Sequence, residues 1–405
     1  MADVRPFYAV CPRNDDAAGV IAPPYDVLSE SEARRIARER RSFVRVTRSE
    51  VDLPAGTDPH AAVTYAKARE NLDSFLEDGL LEISEDEIYL FYGQRMGEHT
   101  QVGILAGASV QEYDDGDIAK HEFTRPDKED DRTHHMEVLD AQVGLVFLAY
   151  RPTAALDALT AEITAAPPEW SVTTSDGVVH TLWRAPVDRV DAIRAAFADV
   201  PRLYIADGHH RSAAASRVYA NRKDERSAYF LAGLYPSDRL MVMAYNRVVH
   251  DLHGRTPEAF LDAVRERWTV EPVDGESADT PAAHGDFRMY LGGAWYRLVL
   301  KPEHVRADDP VACLDVAALQ DHLLEPLLGI DDPRRSTRID FVGGIHGPAE
   351  LAKRVDGGRA VAFHLFPTSL EQLFAVADAG EVMPPKSTWF EPKLREGVAI
   401  RLLGR

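Results

Sequence analysis

The chain has 405 residues, of which 45% are hydrophobic and 28% are charged, and its formal net charge is −20. This composition excludes disordered and collagen-like chains, and the length predicts two or three packed units. The acidic balance argues against nucleic-acid binding, which needs basic residues to displace counterions. No apolar run approaches the length of a membrane span, so we expect no membrane partner.

The two cysteines, Cys11 and Cys313, are far apart and have no metal-binding spacing. They predict no disulfide framework and are typical of a reducing compartment. The first residues, Met-Ala-Asp-Val-Arg-Pro, contain no apolar signal region. We therefore expect a cytoplasmic protein.

The first motif in chain order is a stiff loop at residues 20–27, Val-Ile-Ala-Pro-Pro-Tyr-Asp-Val. Two adjacent prolines restrict the backbone, so Tyr25 and Asp26 are held in place at little entropic cost. Such a loop is typical either of a plain strand exit or of a segment that lines a site. Ser29 and Glu32 then form a capping-box pattern that predicts a helix.

A charged stretch at residues 121–132 follows a predicted strand pair at 88–92 and 102–106. A charge run is usually a solvated helix or loop face, and this interpretation suits residues 127–130. The pairs at the two ends adjoin apolar strands and are candidate site residues: His121, Glu122, Asp131 and Arg132.

The densest group of reactive side chains is Ala-Asp-Gly-His-His-Arg at residues 206–211. An apolar run precedes it and an alanine-rich segment follows, which predicts a strand, a tight turn and a helix. Gly208 allows the bend, N–H groups at the helix start attract an anion, and Arg211 adds a planar fork suited to phosphate. Acid, base or metal-ligand chemistry comes from three residues of the same turn: Asp207, His209 and His210.

The remaining elements alternate between hairpins and helices, so we predict an α/β or α+β fold with mixed sheets. The expected organisation is an N-terminal lobe at residues 1–152 and a C-terminal lobe at residues 153–405. The last motif is a second Pro-Pro loop at residues 383–390. Lys386 either contacts a phosphate or is simply solvated, and Ser387 and Thr388 are candidate site-lining hydroxyls.

Four of these segments occur in the same order as in a prokaryotic family, the one numbered 1015 among the domains of unknown function. They are residues 22–27, the two charged pairs within 121–132, residues 206–211 and residues 376–388. The chain resembles this family over nearly its entire length. The family has no firmly assigned activity, so the resemblance indicates identity more than function.

The turn also resembles the phosphate-binding motif of the ParB-like superfamily, which includes nucleotide-hydrolysing partition proteins and free serine kinases. In those kinases the motif follows a strand, holds nucleotide phosphates at a helix start and works with an earlier glutamate. The resemblance implies the same phosphate-binding role for Asp207, Gly208, His209, His210 and Arg211. Glu122 is the candidate glutamate, and Asp26 or Glu30 are the alternatives.

The favoured hypothesis is a small-molecule kinase that uses ATP or ADP and phosphorylates a hydroxyl group of an amino acid or a related metabolite. Arg211 and Lys386 would neutralise phosphate charge, Glu122 would accept the hydroxyl proton, and His209 and His210 are further catalytic candidates. Asp207 would hold Mg²⁺ or orient a histidine. One alternative is a ParB-like nucleotide sensor without an acceptor. Another is a metal-dependent hydrolase whose ligands are His121, His209 and His210, although neighbouring helical side chains point about 100° apart.

Overall fold

The computed structural model describes residues 2–274 and 279–404. The strands, in chain order, are β1 Val4–Arg5, β2 Phe7–Pro12, β3 Leu81–Ile88, β4 Leu90–Met96, β5 His99–Ser109, β6 Ile118–Ala119, β7 Ala141–Gln142, β8 Val146–Tyr150, β9 Trp170–Thr173, β10 Val179–Arg184, β11 Leu203–Asp207, β12 Tyr229–Pro236, β13 Met241–Met243, β14 Tyr245–Val249, β15 Trp268–Val273, β16 Asp286–Leu291, β17 Ala294–Leu300, β18 Ile339–Gly343, β19 Val361–His364, β20 Trp389–Glu391 and β21 Ile400–Leu402.

The α-helices are α1 Ala17–Val20, α2 Glu30–Ile36, α3 Val44–Thr47, α4 Ala62–Glu77, α5 Val110–Asp115, α6 Pro126–Leu139, α7 Ala154–Thr164, α8 Val190–Ala198, α9 His209–Arg222, α10 Pro257–Arg267, α11 Asp315–Leu319, α12 Glu325–Leu328, α13 Gly347–Asp356 and α14 Leu370–Asp378. A π-helical turn, Gln320–Leu324, connects α11 to α12. Among the described residues, no helix is both long enough and apolar enough to cross a membrane.

Two compact units are formed by the chain: unit 1 runs through Leu240 and resumes at Pro392, and unit 2 is Met241–Glu391. Unit 1 contains a nine-stranded sheet with the strand order β6-β11-β8-β12-β5-β4-β10-β9, in which β1 pairs with β5. Its second sheet has the order β3-β2-β21-β7. Since β8 is antiparallel to β11 and parallel to β12, the large sheet is mixed. The predicted mixed α/β fold is confirmed.

Unit 2 has a six-stranded sheet with the order β15-β17-β16-β19-β14-β18 and a two-stranded sheet of β13 and β20. Strands β16 and β17 form a hairpin that turns at Gly292 and Gly293, and both glycines have a positive φ. Strands β13 and β14 are consecutive in the chain but join different sheets.

The division into units differs from the boundary expected after residue 152. That position lies between β8 and α7, inside unit 1. The reason is the pairing of β8, whose two neighbours β11 and β12 both come from later in the chain. This hydrogen-bonded ladder ties the segments before and after residue 152 into one sheet.

The charged stretch contains a helix, α6, that the sequence interpretation did not identify. Pro126 occupies its first turn, where a missing N–H costs nothing. Its buried residues include Thr133, Met136 and Leu139, which share one face at helical spacing. Helix α6 packs against α9, so the charged stretch adjoins the glycine turn.

Candidate functional site

Gly208 is the single residue between β11 and α9, and its φ is +96°. A Cβ atom added there would lie 3.3 Å from the Cα of Val146 and 3.2 Å from Nε of Arg211. The Gly208 carbonyl accepts hydrogen bonds from the backbone N–H groups of Arg211 and Ser212, at 2.9 and 3.1 Å. Both the left-handed backbone and the close approach of β8 therefore require glycine. The predicted strand, tight turn and helix are present.

The Arg211 side chain folds back over Gly208 and points inward rather than to bulk water. It is half-buried, and its Nη1 donates a hydrogen bond to the carbonyl of Leu145. A Cβ atom on Gly144 would lie 3.2 Å from Cδ of Arg211 and 3.9 Å from Oε1 of Glu396. Gly144 therefore leaves the space in which the guanidinium and the carboxylate approach each other.

Around Arg211 the structure gathers what we call the arginine cluster: Tyr25, Asp26, Arg132, Arg211 and Glu396. A backbone bridge between Ala22 and Glu396, with N···O distances of 3.0 and 2.9 Å, sets Glu396 beside the Pro-Pro loop. The Arg132 guanidinium lies 4.3 Å from the centroid of the Tyr25 ring. The first Pro-Pro loop and the charged stretch therefore both lie beside the glycine turn.

Glu396 is the main functional candidate that the sequence interpretation missed. It is only 3% exposed, and its Oε2 has no hydrogen-bond partner among the described residues. Burial raises the pKa of its carboxyl to about 7, although the positive charge of Arg211 opposes the shift. For Arg211 itself, burial lowers the pKa, but the negative charges of Asp207 and Asp26 outweigh it and leave a net increase. Glu396 can therefore exchange a proton near neutral pH.

Asp131 serves to orient Arg132. Its carboxylate accepts hydrogen bonds from Tyr65 Oη at 2.7 Å and His60 Nδ1 at 2.9 Å, and it pairs with Arg132 at 2.7 Å. Burial opposes ionisation of Asp131, but Arg132 and these donors lower its pKa overall. Asp131 is therefore a charged anchor that holds Arg132 against Tyr25.

On another side of the turn lies the histidine cluster, which consists of His121, Glu122 and His209. The two imidazole rings are perpendicular, with centroids 4.5 Å apart, and Nδ1 of His209 is 4.0 Å from Oε2 of Glu122. Burial lowers the pKa of His121 to about 4 and that of His209 well below its ordinary value. Both rings are therefore neutral at pH 7. Glu122 is 45% exposed at the mouth of this cluster.

Asp207 stands between the two clusters. Its Oδ2 forms an ion pair with Nζ of Lys393 at 3.2 Å. The sequence interpretation also missed Lys393. Burial favours the neutral form of Asp207, but the charges of Lys393 and Arg211 keep its pKa below the usual range. The carboxylate is therefore ionised and compensated by two cations.

His210 faces away from His209, as neighbouring positions on a helix do. Its Nε2 accepts a hydrogen bond of 3.1 Å from the backbone N–H of Arg125, at the start of α6. His210 was the third ligand in the metal-dependent alternative, but it makes this other contact. Glu122 lies beside His121 and His209 in its place. Glu30, one of the alternative glutamates, is exposed and pairs with Arg34 at 3.0 Å.

The second Pro-Pro loop belongs to unit 2. Lys386 is exposed, has a φ of +58°, and its Nζ lies 5.6 Å from the ring centroid of Tyr245. Ser387 is buried, and its hydroxyl donates a 2.6 Å hydrogen bond to the carbonyl of Pro384. Thr388 is half-buried. The Lys386–Tyr245 and Ser387–Pro384 contacts are both made within unit 2.

The fold and the site define a mixed α/β protein with a glycine turn that presents a helix N-terminus and an inward arginine. Residues 4–317 match the model of the family described as protein of unknown function, DUF1015. The match covers more than half of the chain, and the chain belongs to this family. Among curated proteins, no sequence matches it.

Several solved structures resemble the chain at low identity. SbnI with a C-terminal truncation, from Staphylococcus aureus, is 12% identical with a TM-score of 0.40, over 72% of this chain and 84% of that chain. A free serine kinase mutant in complex with ADP is 12% identical with a TM-score of 0.35, over 71% and 87%. A conserved hypothetical protein from Pyrococcus furiosus is 13% identical with a TM-score of 0.35, over 74% and 95%. Scores this low carry no argument about function.

Proposed function

We propose that this chain is a nucleotide-dependent small-molecule kinase that phosphorylates a hydroxyl group of an amino acid or a related metabolite. The observation that carries the proposal is the inward guanidinium of Arg211 over the positive-φ Gly208, at the start of a 14-residue helix. Helix N-terminal N–H groups and an arginine fork both favour a phosphate, and here they act at the same point. ATP or ADP is the proposed nucleotide.

Phosphoryl transfer depends on positioning the phosphates and neutralising their charge. In unit 1, Arg211 supplies a cation held in place by its own contact to the Leu145 carbonyl. Asp207 is the proposed Mg²⁺ ligand. Lys393 contacts Oδ2 of this carboxylate, so Asp207 would supply Mg²⁺ with at most one further oxygen, and the other ligands would come from phosphate oxygens and water. His209 and His210 remain proposed phosphate contacts.

Two carboxylates are suited to accept the proton of the acceptor hydroxyl. Glu122 is exposed beside the turn and is the residue that the motif implies. Glu396 is buried on the Arg211 side, and its pKa of about 7 matches the requirement for a general base at neutral pH. Asp26 lies in the same arginine cluster, is exposed and is a third option. Glu396 combines burial with a pKa raised toward neutrality.

The test is nucleotide binding by calorimetry, with Arg211→Ala compared to Arg217→Ala. Arg217 lies on the same helix, but its guanidinium pairs with Asp130 at 2.6 Å and Glu129 at 3.5 Å. We expect Arg211→Ala to weaken ATP and ADP binding at least tenfold, about the value of one charge-assisted hydrogen bond, and Arg217→Ala to preserve it. Unchanged affinity in Arg211→Ala would reject the phosphate site.

Kinase activity is tested separately from nucleotide binding. Nucleotide consumption should require an added hydroxyl compound, with serine and other hydroxylated metabolites as the first panel. Consumption at the same rate without any acceptor would identify a nucleotide-hydrolysing sensor instead. Binding without consumption under any condition would leave a binding module and overturn the kinase proposal.

A further inference from the structure

The histidine cluster is assembled by parallel strand pairing. Strand β6 runs parallel to β11, with Ile118 opposite Leu203 and Ala119 opposite Tyr204. Since parallel strands end at the same edge of a sheet, the chain leaving β6 comes beside the chain leaving β11. One nitrogen from each imidazole and one oxygen of Glu122 lie within 4.8 Å of one another. Three metal-binding side chains thus converge from two separate segments.

One nitrogen of each histidine has no hydrogen-bond partner among the described residues, and the other nitrogen of His209, Nδ1, lies 4.0 Å from Oε2 of Glu122. His121 Nδ1 and His209 Nε2 are buried without a hydrogen-bond partner, and the two side chains are 3% and 5% exposed. Buried polar atoms are normally paired, because an unpaired one loses its hydration without gaining a hydrogen bond. A hydrogen bond with the backbone of Ile205 also orients the His121 ring, as outer groups commonly orient metal-binding histidines.

We propose that His121, Glu122 and His209 form a binding site for a divalent transition-metal ion such as Zn²⁺ or Mn²⁺. Two imidazole nitrogens and one carboxylate oxygen are the donors that such ions prefer, whereas Mg²⁺ and Ca²⁺ prefer oxygen. Three protein ligands leave coordination positions open for a phosphate oxygen or a hydroxyl group. Because Glu122 is 45% exposed, the open side faces solvent.

The geometry requires a small closure around the ion. Ligands at about 2.0–2.2 Å from a metal lie no more than about 4.4 Å apart, and the widest separation here is within 4.8 Å. Glu122 is the exposed member, so its side chain supplies the movement while the buried imidazoles stay in place. A bound ion would make Glu122 a ligand and leave Glu396 as the carboxylate suited to accept a proton.

Metal binding can be measured without nucleotide, so its outcome is independent of the proposed kinase activity. The full chain is stripped with a chelator and titrated with ZnCl₂, MnCl₂ and MgCl₂ by calorimetry, and Co²⁺ loading is followed by visible absorption. We expect one Zn²⁺ per chain, with MgCl₂ binding at least about 100-fold more weakly. Equal affinity for Mg²⁺ and the two transition-metal ions, or no binding of either Zn²⁺ or Mn²⁺, would overturn the site.

Variants identify the ligands. His121→Gln, His209→Gln and Glu122→Gln should each weaken Zn²⁺ binding at least tenfold, the usual minimum loss when a metal site loses a ligand or its support. Glu122→Gln changes an exposed residue and keeps the test valid where a buried variant does not fold. His134, which is exposed on α6 and contacts Tyr65 with centroids 4.4 Å apart, is the matched control as His134→Gln. Wild-type Zn²⁺ affinity in folded Glu122→Gln, or a loss in His134→Gln as large as in His209→Gln, would overturn the assignment.

Discussion

The two motifs that the sequence offered for phosphate binding differ in the surroundings of their basic residue. In unit 1, Arg211 is half-buried over the glycine turn, and the charges of Asp207 and Asp26 compensate it. In unit 2, Lys386 is exposed, and its ammonium lies 5.6 Å from the Tyr245 ring centroid. Withdrawing a charge from water costs free energy unless other groups compensate it, whereas an exposed lysine incurs no such cost. The compensated arginine is therefore the stronger indication of a functional site.

The largest effect that would test this comparison comes from the turn itself. Gly208→Ala should lower the free energy of unfolding by about 2–3 kcal/mol, because a non-glycine residue is strained at φ +96° and its Cβ would meet Val146 and Arg211. Urea denaturation measures the loss. Gly177→Ala is the matched control, since Gly177 has φ +81° but open space around it. The control should lose only about 1 kcal/mol.

If the two glycine variants lost equal free energies of unfolding, the close approach of β8 would not add to the cost of a side chain at position 208. The same pair of proteins can be titrated with ATP. Gly208→Ala should also lose nucleotide affinity, because the displaced Arg211 no longer covers the turn. Gly177→Ala should bind as the unmodified chain does.

The second prediction concerns the pH dependence of stability that Glu396 causes. Its folded-state pKa is about 7, above the ordinary value of 4.5. The stabilisation from the protonated form is therefore complete below pH 4.5 and is lost as the pH rises through 7. Relative to Glu396→Gln, the unmodified chain should lose about 3 kcal/mol of unfolding free energy over this interval, since each pKa unit between 4.5 and about 7 corresponds to about 1.4 kcal/mol.

Urea denaturation of both proteins at a series of pH values measures this difference. Parallel stability profiles from pH 4 to pH 8 would show that Glu396 has an ordinary pKa and remove its claim to act as a base. A second readout is the pH profile of turnover. With Glu396 as the base, turnover should rise as the pH passes through about 7.

The sequence predicted the parts of the site that depend on local rules. The strand, turn and helix around Gly208 follow from an apolar run, a glycine and an alanine-rich segment, all within twenty residues of one another. The capping box of Ser29 and Glu32 is present for the same reason and begins helix α2, which ends at Ile36. Helix α6 was missed because charged residues interrupt its short apolar face.

What the sequence did not predict depends on long-range pairing. Lys393 and Asp207 are 186 residues apart, and Glu396 reaches the site through a backbone bridge to Ala22. A single charged residue near the end of a chain has no periodicity that marks it as buried. The chain's return to unit 1 at Pro392 was the deciding feature, and only the tertiary structure shows it.

The smallest predicted effect compares the two lysines directly. Lys393→Met should weaken ATP binding about tenfold, because it removes a cation beside the phosphate site and leaves Arg211 to compensate both the Asp207 carboxylate and the phosphates. Lys386→Met should change the affinity less than about threefold, as expected for an exposed charge screened by water and salt. Calorimetry at low and high salt distinguishes the two lysines. The contribution of Lys386 to ATP affinity should vanish at high salt, whereas that of Lys393 should persist. If both variants lost affinity equally at high salt, Lys386 would be a direct phosphate ligand, and burial would not distinguish the two motifs.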